Sequence, residues 1–133
     1  KDNVLSFVKP LDEIKITHTF GERMHPITKE VIFHRGVDLA AEEGTEVYAI
    51  MDGVVVFTNY ETERGNTIRI KHGNGYASTY AQGLEFLVTP GEVVKAGQPI
   101  MKVGATGKAT GPHLHLELED ANGELVDIND MFK

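Results

Sequence analysis

The run His113-Leu114-His115-Leu116-Glu117-Leu118-Glu119 alternates leucine with a polar residue without a break. Successive side chains of a strand point to opposite faces of a sheet. As a strand, the run puts Leu114, Leu116 and Leu118 on one face and His113, His115, Glu117 and Glu119 on the other. A leucine face meets a core. Two imidazoles on the opposite face invite chemistry. Residues i and i+2 of a strand lie roughly 6.6 Å apart. At that spacing two imidazoles can converge on one metal, or one can hold an ion while its neighbour handles a proton. Glu117 shares the face of His115 and either accepts its second ring N–H, orienting the ring, or belongs to a solvated polar face.

A second group is His34-Arg35-Gly36-Val37-Asp38. On a straight strand His34 and Asp38 would stand roughly 13 Å apart and could not share an ion. Gly36 between them can take φ > 0 and bend the chain. A His and a carboxylate brought together, plus one His from the alternating strand, make a three-ligand set. Catalytic zinc keeps three protein ligands and an open position for water, and imidazole with carboxylate suits that ion. Alone, His-x-Gly-x-Asp reads as a turn and His-x-His as surface. Together in one short chain they point to a metal site.

The elements that must position these groups are strands. Fourteen glycines and five prolines among 133 residues, with many short apolar runs, predict an all-β domain with tight turns. Expected strands are 15–20, 36–39, 46–49, 53–59, 66–71, 77–81, 100–103 and 113–119. Turns are marked by Asp52-Gly53, Arg64-Gly65-Asn66, Gly73-Asn74-Gly75, Pro90-Gly91 and Ala96-Gly97. No segment carries a helical period for three turns, and Asp127 caps one expected terminal helical turn over 127–133. Segments 45–56 and 92–103 share a faint common shape, an apolar pair, then Gly or Pro, then an apolar run.

Composition bounds the function. A length of 133 residues suits one domain, and 41% hydrophobic with 25% charged residues is ordinary for a globular chain. A net charge of -7 argues against nucleic acid or anionic lipid as a partner. The absence of cysteine excludes disulfides, thiolate zinc sites and a thiol nucleophile. No apolar run is long enough for a transmembrane helix. The chain begins at Lys1 with neither Met nor leader, and is read as a segment of something longer.

The chain resembles the lysostaphin/LytM-like family of zinc endopeptidases, which cut peptide cross-links of bacterial peptidoglycan. The resemblance is carried by Phe20-Gly21-Glu22-Arg23-Met24-His25-Pro26, Phe33-His34-Arg35-Gly36-Val37-Asp38-Leu39-Ala40, Val47-Tyr48-Ala49 with Asp52-Gly53-Val54-Val55, Gly65-Asn66-Thr67-Ile68, His72-Gly73-Asn74-Gly75-Tyr76, and Thr106-Gly107-Lys108-Ala109-Thr110-Gly111-Pro112-His113-Leu114-His115-Leu116-Glu117. These stand in the family's order over most of the chain. The resemblance implies one domain over 1–133 with its core at about 20–120. It implies a mainly β fold, with antiparallel sheets in a barrel-like or sandwich arrangement and a narrow groove over the sheet. It implies His34, Asp38 and His115 as ligands of one Zn²⁺ and His113 as a catalytic histidine. It also implies a peptidoglycan peptide, or a protein partner, in the groove. The expected location is outside the cytoplasm, in the cell envelope or secreted, within a membrane-tethered or exported protein.

One position departs from the family. A second catalytic histidine is expected in a Tyr-x-His-Leu stretch, which here reads Tyr80-Ala81-Gln82-Gly83. Gln82 can donate a hydrogen bond but cannot exchange a proton near neutral pH. Two functions compete on that ground: a peptidase, weakened at Gln82, and a degenerate domain that binds cell wall or a protein with zinc as structural support. A third, a lipoyl-type carrier, is echoed by Met51-Asp52-Gly53-Val54-Val55 but lacks the carrier lysine and leaves the histidines unexplained. Among the remaining candidates, His25 before Pro26 either contacts substrate or fixes its loop, and Asn66 is a turn residue or a contact to a peptide backbone. His72 reads as a turn histidine holding a backbone group, and His18 as surface.

Overall fold

Alternating sequence becomes alternating burial throughout the structure. The computed structural model describes residues 7–24, 27–105 and 111–128. Among them there are eleven strands and no helix: β1 Ile16–His18, β2 Gly21–Met24, β3 Val31–His34, β4 Val37–Ala40, β5 Glu46–Tyr48, β6 Gly53–Glu61, β7 Gly65–His72, β8 Ala77–Phe86, β9 Val93–Val94, β10 Pro99–Val103 and β11 His113–Glu119. Every strand expected from sequence is present; most differ by one to three residues at their ends, and the strand expected over 77–81 runs on to Phe86. The hairpin β2–β3 and the two-residue β9 were not expected. The helical turn expected from Asp127 falls mostly on residues outside those described.

The main sheet has nine antiparallel strands along the path β1-β4-β11-β8-β7-β6-β9, with β10 pairing both β5 and β8. It does not close, so the barrel-like expectation gives way to an open, strongly branched sheet. The hairpin β2–β3 forms a separate two-stranded sheet. The two segments with a faint common shape pair with each other, β5 with β10 and β6 with β9.

Leu114, Leu116 and Leu118 are fully buried, and Val37, Leu39, Ile68, Ile70 and Tyr80 join them in one core. Burying each such leucine stabilises the fold by about 1.5–3 kcal/mol relative to leaving it exposed. The opposite face of β11 is thereby fixed toward the histidine side. Gly36 does not take a left-handed conformation, contrary to the expected bend. Its role is close approach: a Cβ there would stand 2.0 Å from the Leu116 carbonyl oxygen. Only a residue without Cβ lets the chain pass from β3 into β4 against β11.

Under the core runs a buried polar chain. The Ile50 N–H donates to the Tyr80 hydroxyl at 3.0 Å, which lies 2.8 Å from Ser78 Oγ. Ser78 Oγ is 2.9 Å from His72 Nε2, and His72 Nδ1–H donates to the Asp52 carbonyl at 2.7 Å. The turn-holding role read for His72 is the one observed. Burial pushes His72 below its ordinary pKa, an effect the Asp52 carbonyl only partly offsets. The Tyr80 hydroxyl is pushed up to about 12 by burial.

The sign of the resulting pH dependence follows. Above the unfolded value of about 6.5 His72 is neutral in both states and its hydrogen bonds are fully available. As pH falls below that value the unfolded chain takes up the proton first, and stability is lost. His72→Asn, which can keep a donor for the Asp52 carbonyl but leaves the buried Ser78 hydroxyl without its imidazole partner at about 1–3 kcal/mol, should therefore destabilise most near pH 7.5 and progressively less toward pH 5. Urea unfolding of both proteins across that range checks this, and a gap that is constant or widens on acidification contradicts it.

Candidate metal centre

The β4–β11 ladder sets Asp38 directly opposite His115 and Ala40 opposite His113. Directly paired residues of antiparallel strands share a face, so the Asp38 carboxylate meets the imidazoles of β11. His115 Nδ1 stands 2.8 Å from Asp38 Oδ1. His34, the last residue of β3, turns in until its Nε2 is 3.4 Å from the same oxygen. One donor atom each of His34, Asp38 and His115 lies within 4.8 Å of the others. His34 and Asp38, far apart on a straight strand, are brought together by the passage from the small sheet into the large one.

The outer nitrogens decide what the inner ones offer. His34 Nδ1–H donates to the Thr19 carbonyl at 2.9 Å, leaving Nε2 as an inward lone pair. His115 Nε2–H donates to Glu117 Oε2 at 2.8 Å. Nδ1 of His115 therefore faces the Asp38 carboxylate as the atom that carries either a proton or a cation. Burial opposes a charge on His115, but hydrogen bonds to Asp38 and Glu117 and their negative charges lift its pKa to about 9. Burial likewise works to raise Asp38, and the hydrogen bonds and charges of His115 and His34 override it and hold the carboxyl well below the usual range. The centre of the triangle is a place for positive charge.

Glu117 is only 2% exposed. Burial alone would raise its pKa, but the hydrogen bond from His115 and the charges of His115, Arg64 and Arg35 hold it below its ordinary value. Both guanidinium groups stand 3.7 Å from Oε1. A carboxylate gripped in this way keeps the His115 ring from turning. His113 points to the same place: its Nδ1–H donates to the Gly111 carbonyl at 2.9 Å, and its Nε2 lies 3.9 Å from Asp38 Oδ1.

Gln82 sits where β8 leaves β11 and joins β10. Its backbone takes a left-handed φ of 71°. Its N–H donates to the Arg64 carbonyl at 2.8 Å and its carbonyl accepts from Gly104 at 3.1 Å. Its Oε1 is buried without a partner among the described residues. Next to it, a Cβ on Gly83 would meet Met101 Sδ at 2.3 Å, so a larger residue there would displace a buried side chain. The Asn66 amide donates to the carbonyls of Gly83 at 3.0 Å and Leu84 at 3.3 Å. His25 and the stretch 106–110 lie outside the described residues. A cavity of about 440 Å³ adjoins Pro112 and Ala40, and its walls include Leu11, Asp12, Glu13 and Glu42 but none of the clustered histidines.

Sequence reasoning missed His18. Its Nδ1 lies 3.2 Å from Asp38 Oδ2, although the side chain is 45% exposed. No local pattern announces this contact, because it depends on pairing between β1 and β4.

The sequence pattern of peptidase family M23 matches residues 32–128. The chain belongs to peptidase family M23. It is 43% identical over 109 residues to the peptidoglycan DD-endopeptidase ShyC of Vibrio cholerae, covering 81% of this chain and 25% of ShyC. Over 120 residues it is 42% identical to the DD-carboxypeptidase/endopeptidase Mpg of Neisseria gonorrhoeae, covering 90% of this chain and 27% of Mpg. The chain thus spans about a quarter of these relatives. A zinc-containing peptidase from Vibrio cholerae superposes with a TM-score of 0.84 at 39% identity, over 90% of this chain and 37% of that one. The M23 family is one of zinc metallopeptidases, and the donor set here fits that ion: two imidazole nitrogens and one carboxylate oxygen, with both outer N–H groups already committed.

Loss of an outer-shell carboxylate typically lowers metal affinity by about 10–100-fold. Glu117→Ala should do so here, with Glu117→Gln, which keeps an acceptor, falling between. Zinc competition against a chromogenic chelator measures this, and an unchanged affinity in Glu117→Ala contradicts the role assigned to Glu117.

Proposed function

We propose that this M23 domain is a zinc endopeptidase that hydrolyses peptide cross-links of bacterial peptidoglycan outside the cytoplasm. One ion is held by His34, Asp38 and His115. The observation that carries this reading is the convergence of those three donors within 4.8 Å. The names of ShyC and Mpg, a DD-endopeptidase and a DD-carboxypeptidase/endopeptidase, support the choice of substrate. Bound there, zinc supplies Lewis acidity, which polarises the scissile carbonyl and lowers the pKa of a water.

The chain's own residues do the rest. His113, with Nδ1–H tied to Gly111, presents Nε2 as a base beside the cluster. It takes the proton of the attacking water and returns it to the leaving amine. Asp38 offsets the charge of the ion through Oδ1. Gln82 contributes an amide donor toward the developing oxyanion, and Asn66, whose amide donates to the carbonyls of Gly83 and Leu84, orders the β8 backbone beside it. Replacing an imidazole by an amide removes proton transfer at that point, worth about 10²–10⁴ in rate where it operates. Turnover is therefore slower than it would be with histidine at 82.

The test is a digest of purified peptidoglycan, read by mass spectrometry for new amine termini. Wild type should release them, His113→Ala should not, and Gln82→His should release them faster. Gln82 is changed alone because a side chain at Gly83 would displace the buried Met101. Activity confined to Gln82→His overturns the enzymatic reading and leaves a wall-binding or protein-binding domain.

A further inference from the structure

The carboxylate of Asp38 has two oxygens with unlike surroundings. Oδ1 gathers His115 at 2.8 Å, His34 at 3.4 Å and His113 at 3.9 Å. Oδ2 meets His18 Nδ1 at 3.2 Å, its one side-chain partner among the described residues. A carboxylate free at its second oxygen can rotate about its terminal torsion, which is broad, or swing to chelate an ion through both oxygens.

The chain builds this contact with a bulge. Ile16 pairs with Leu39 and His18 pairs with Asp38, so two steps along β1 match one along β4. In an unbroken strand Ile16 and His18 would share a face. Leu39 faces the core and Asp38 the metal side, so the extra residue turns His18 from the one face to the other. Bulges re-aim side chains in this manner. Thr17 fastens the irregular turn, with its Oγ1–H donating to the Asp38 carbonyl at 3.3 Å. His18 thereby reaches the centre from an edge strand, over the top of Asp38.

We propose that His18 is a positioning residue whose Nδ1–H restrains Asp38 Oδ2, so that Asp38 offers Oδ1 alone to the metal. This rests on the zinc reading above and assigns His18 no ligand bond and no proton transfer. His18 sets how tightly and through how many oxygens the ion is held. An asparagine at this position sets its amide N–H₂ close to where the imidazole Nδ1 stands, so it preserves the donor without an imidazole.

Zinc affinity is measured by chelator competition for wild type, His18→Ala, His18→Asn and, as a control, His115→Ala. The cobalt-substituted proteins are compared by visible absorption, because a second carboxylate oxygen raises the coordination number and weakens the ligand-field bands. His18→Ala should lose about 10–100-fold in affinity with weakened cobalt bands, while His18→Asn returns both to near wild type. The metal-free melting temperatures of both His18 variants should match wild type, since the side chain is half exposed at a sheet edge. Equal affinity and equal cobalt spectra for His18→Ala and wild type overturn the role of His18 and leave the zinc reading standing. Failure of His18→Asn to restore either readout also overturns it. A wild-type chain that binds zinc no better than His115→Ala overturns both.

Discussion

Asp38 Oδ1 and His115 Nδ1 face each other at 2.8 Å across the β4–β11 ladder, and the site is arranged around that pair. Its position is set from the other side of the sheet. Leu39 and Val37 on β4 and Leu114, Leu116 and Leu118 on β11 are buried in the core. Alternation then compels Asp38, His113 and His115 to the opposite face. A slip of one residue in either strand would send the acid and the imidazoles to opposite sides. The register is held by five fully buried side chains, so the site draws its precision from hydrophobic packing that it never touches. Gly36 adds the one steric condition, a backbone passage with no space for a Cβ beside the Leu116 carbonyl.

Charge on the polar face is ordered in shells. One side-chain atom each of His34, Asp38 and His115 points inward, and around them stand the Thr19 carbonyl, the Glu117 carboxylate and two guanidinium groups. A buried carboxylate such as Glu117 is costly without partners. Here an imidazole on one oxygen and two arginines near the other offset that cost. One of them, Arg64, also carries the carbonyl that receives the Gln82 N–H. The support of His115 and the conformation of Gln82 are therefore connected through one residue between β6 and β7.

The strands and the three clustered donors were legible because each depends on local alternation or on a short motif. The leucines of β11 announced both a core face and, by elimination, a polar one. Glu117 was readable from its place two residues after His115. The hairpin β2–β3 was not, because Val31-Ile32-Phe33 shows no alternation and all three residues remain largely exposed. Gly36 was recognised as necessary for the wrong reason: its constraint is proximity to β11, which no local reading contains. His18 was read as surface, and by exposure alone that is fair. Its contact with Asp38, twenty positions along the chain, arises from a bulge in the pairing of β1 with β4, a tertiary fact.

Gln82 concentrates two costs on one residue. A left-handed backbone on a residue with a Cβ costs of order 1–3 kcal/mol, and a buried acceptor without a donor costs about 1–3 kcal/mol more. The backbone conformation has a structural cause, since β8 changes partner there from β11 to β10. Glycine would satisfy that cause, take the same φ without strain and carry no amide to bury. Gly83, one residue on, shows that the chain does use glycine where packing demands it. Structural necessity therefore accounts for the turn at 82 but not for the side chain on it.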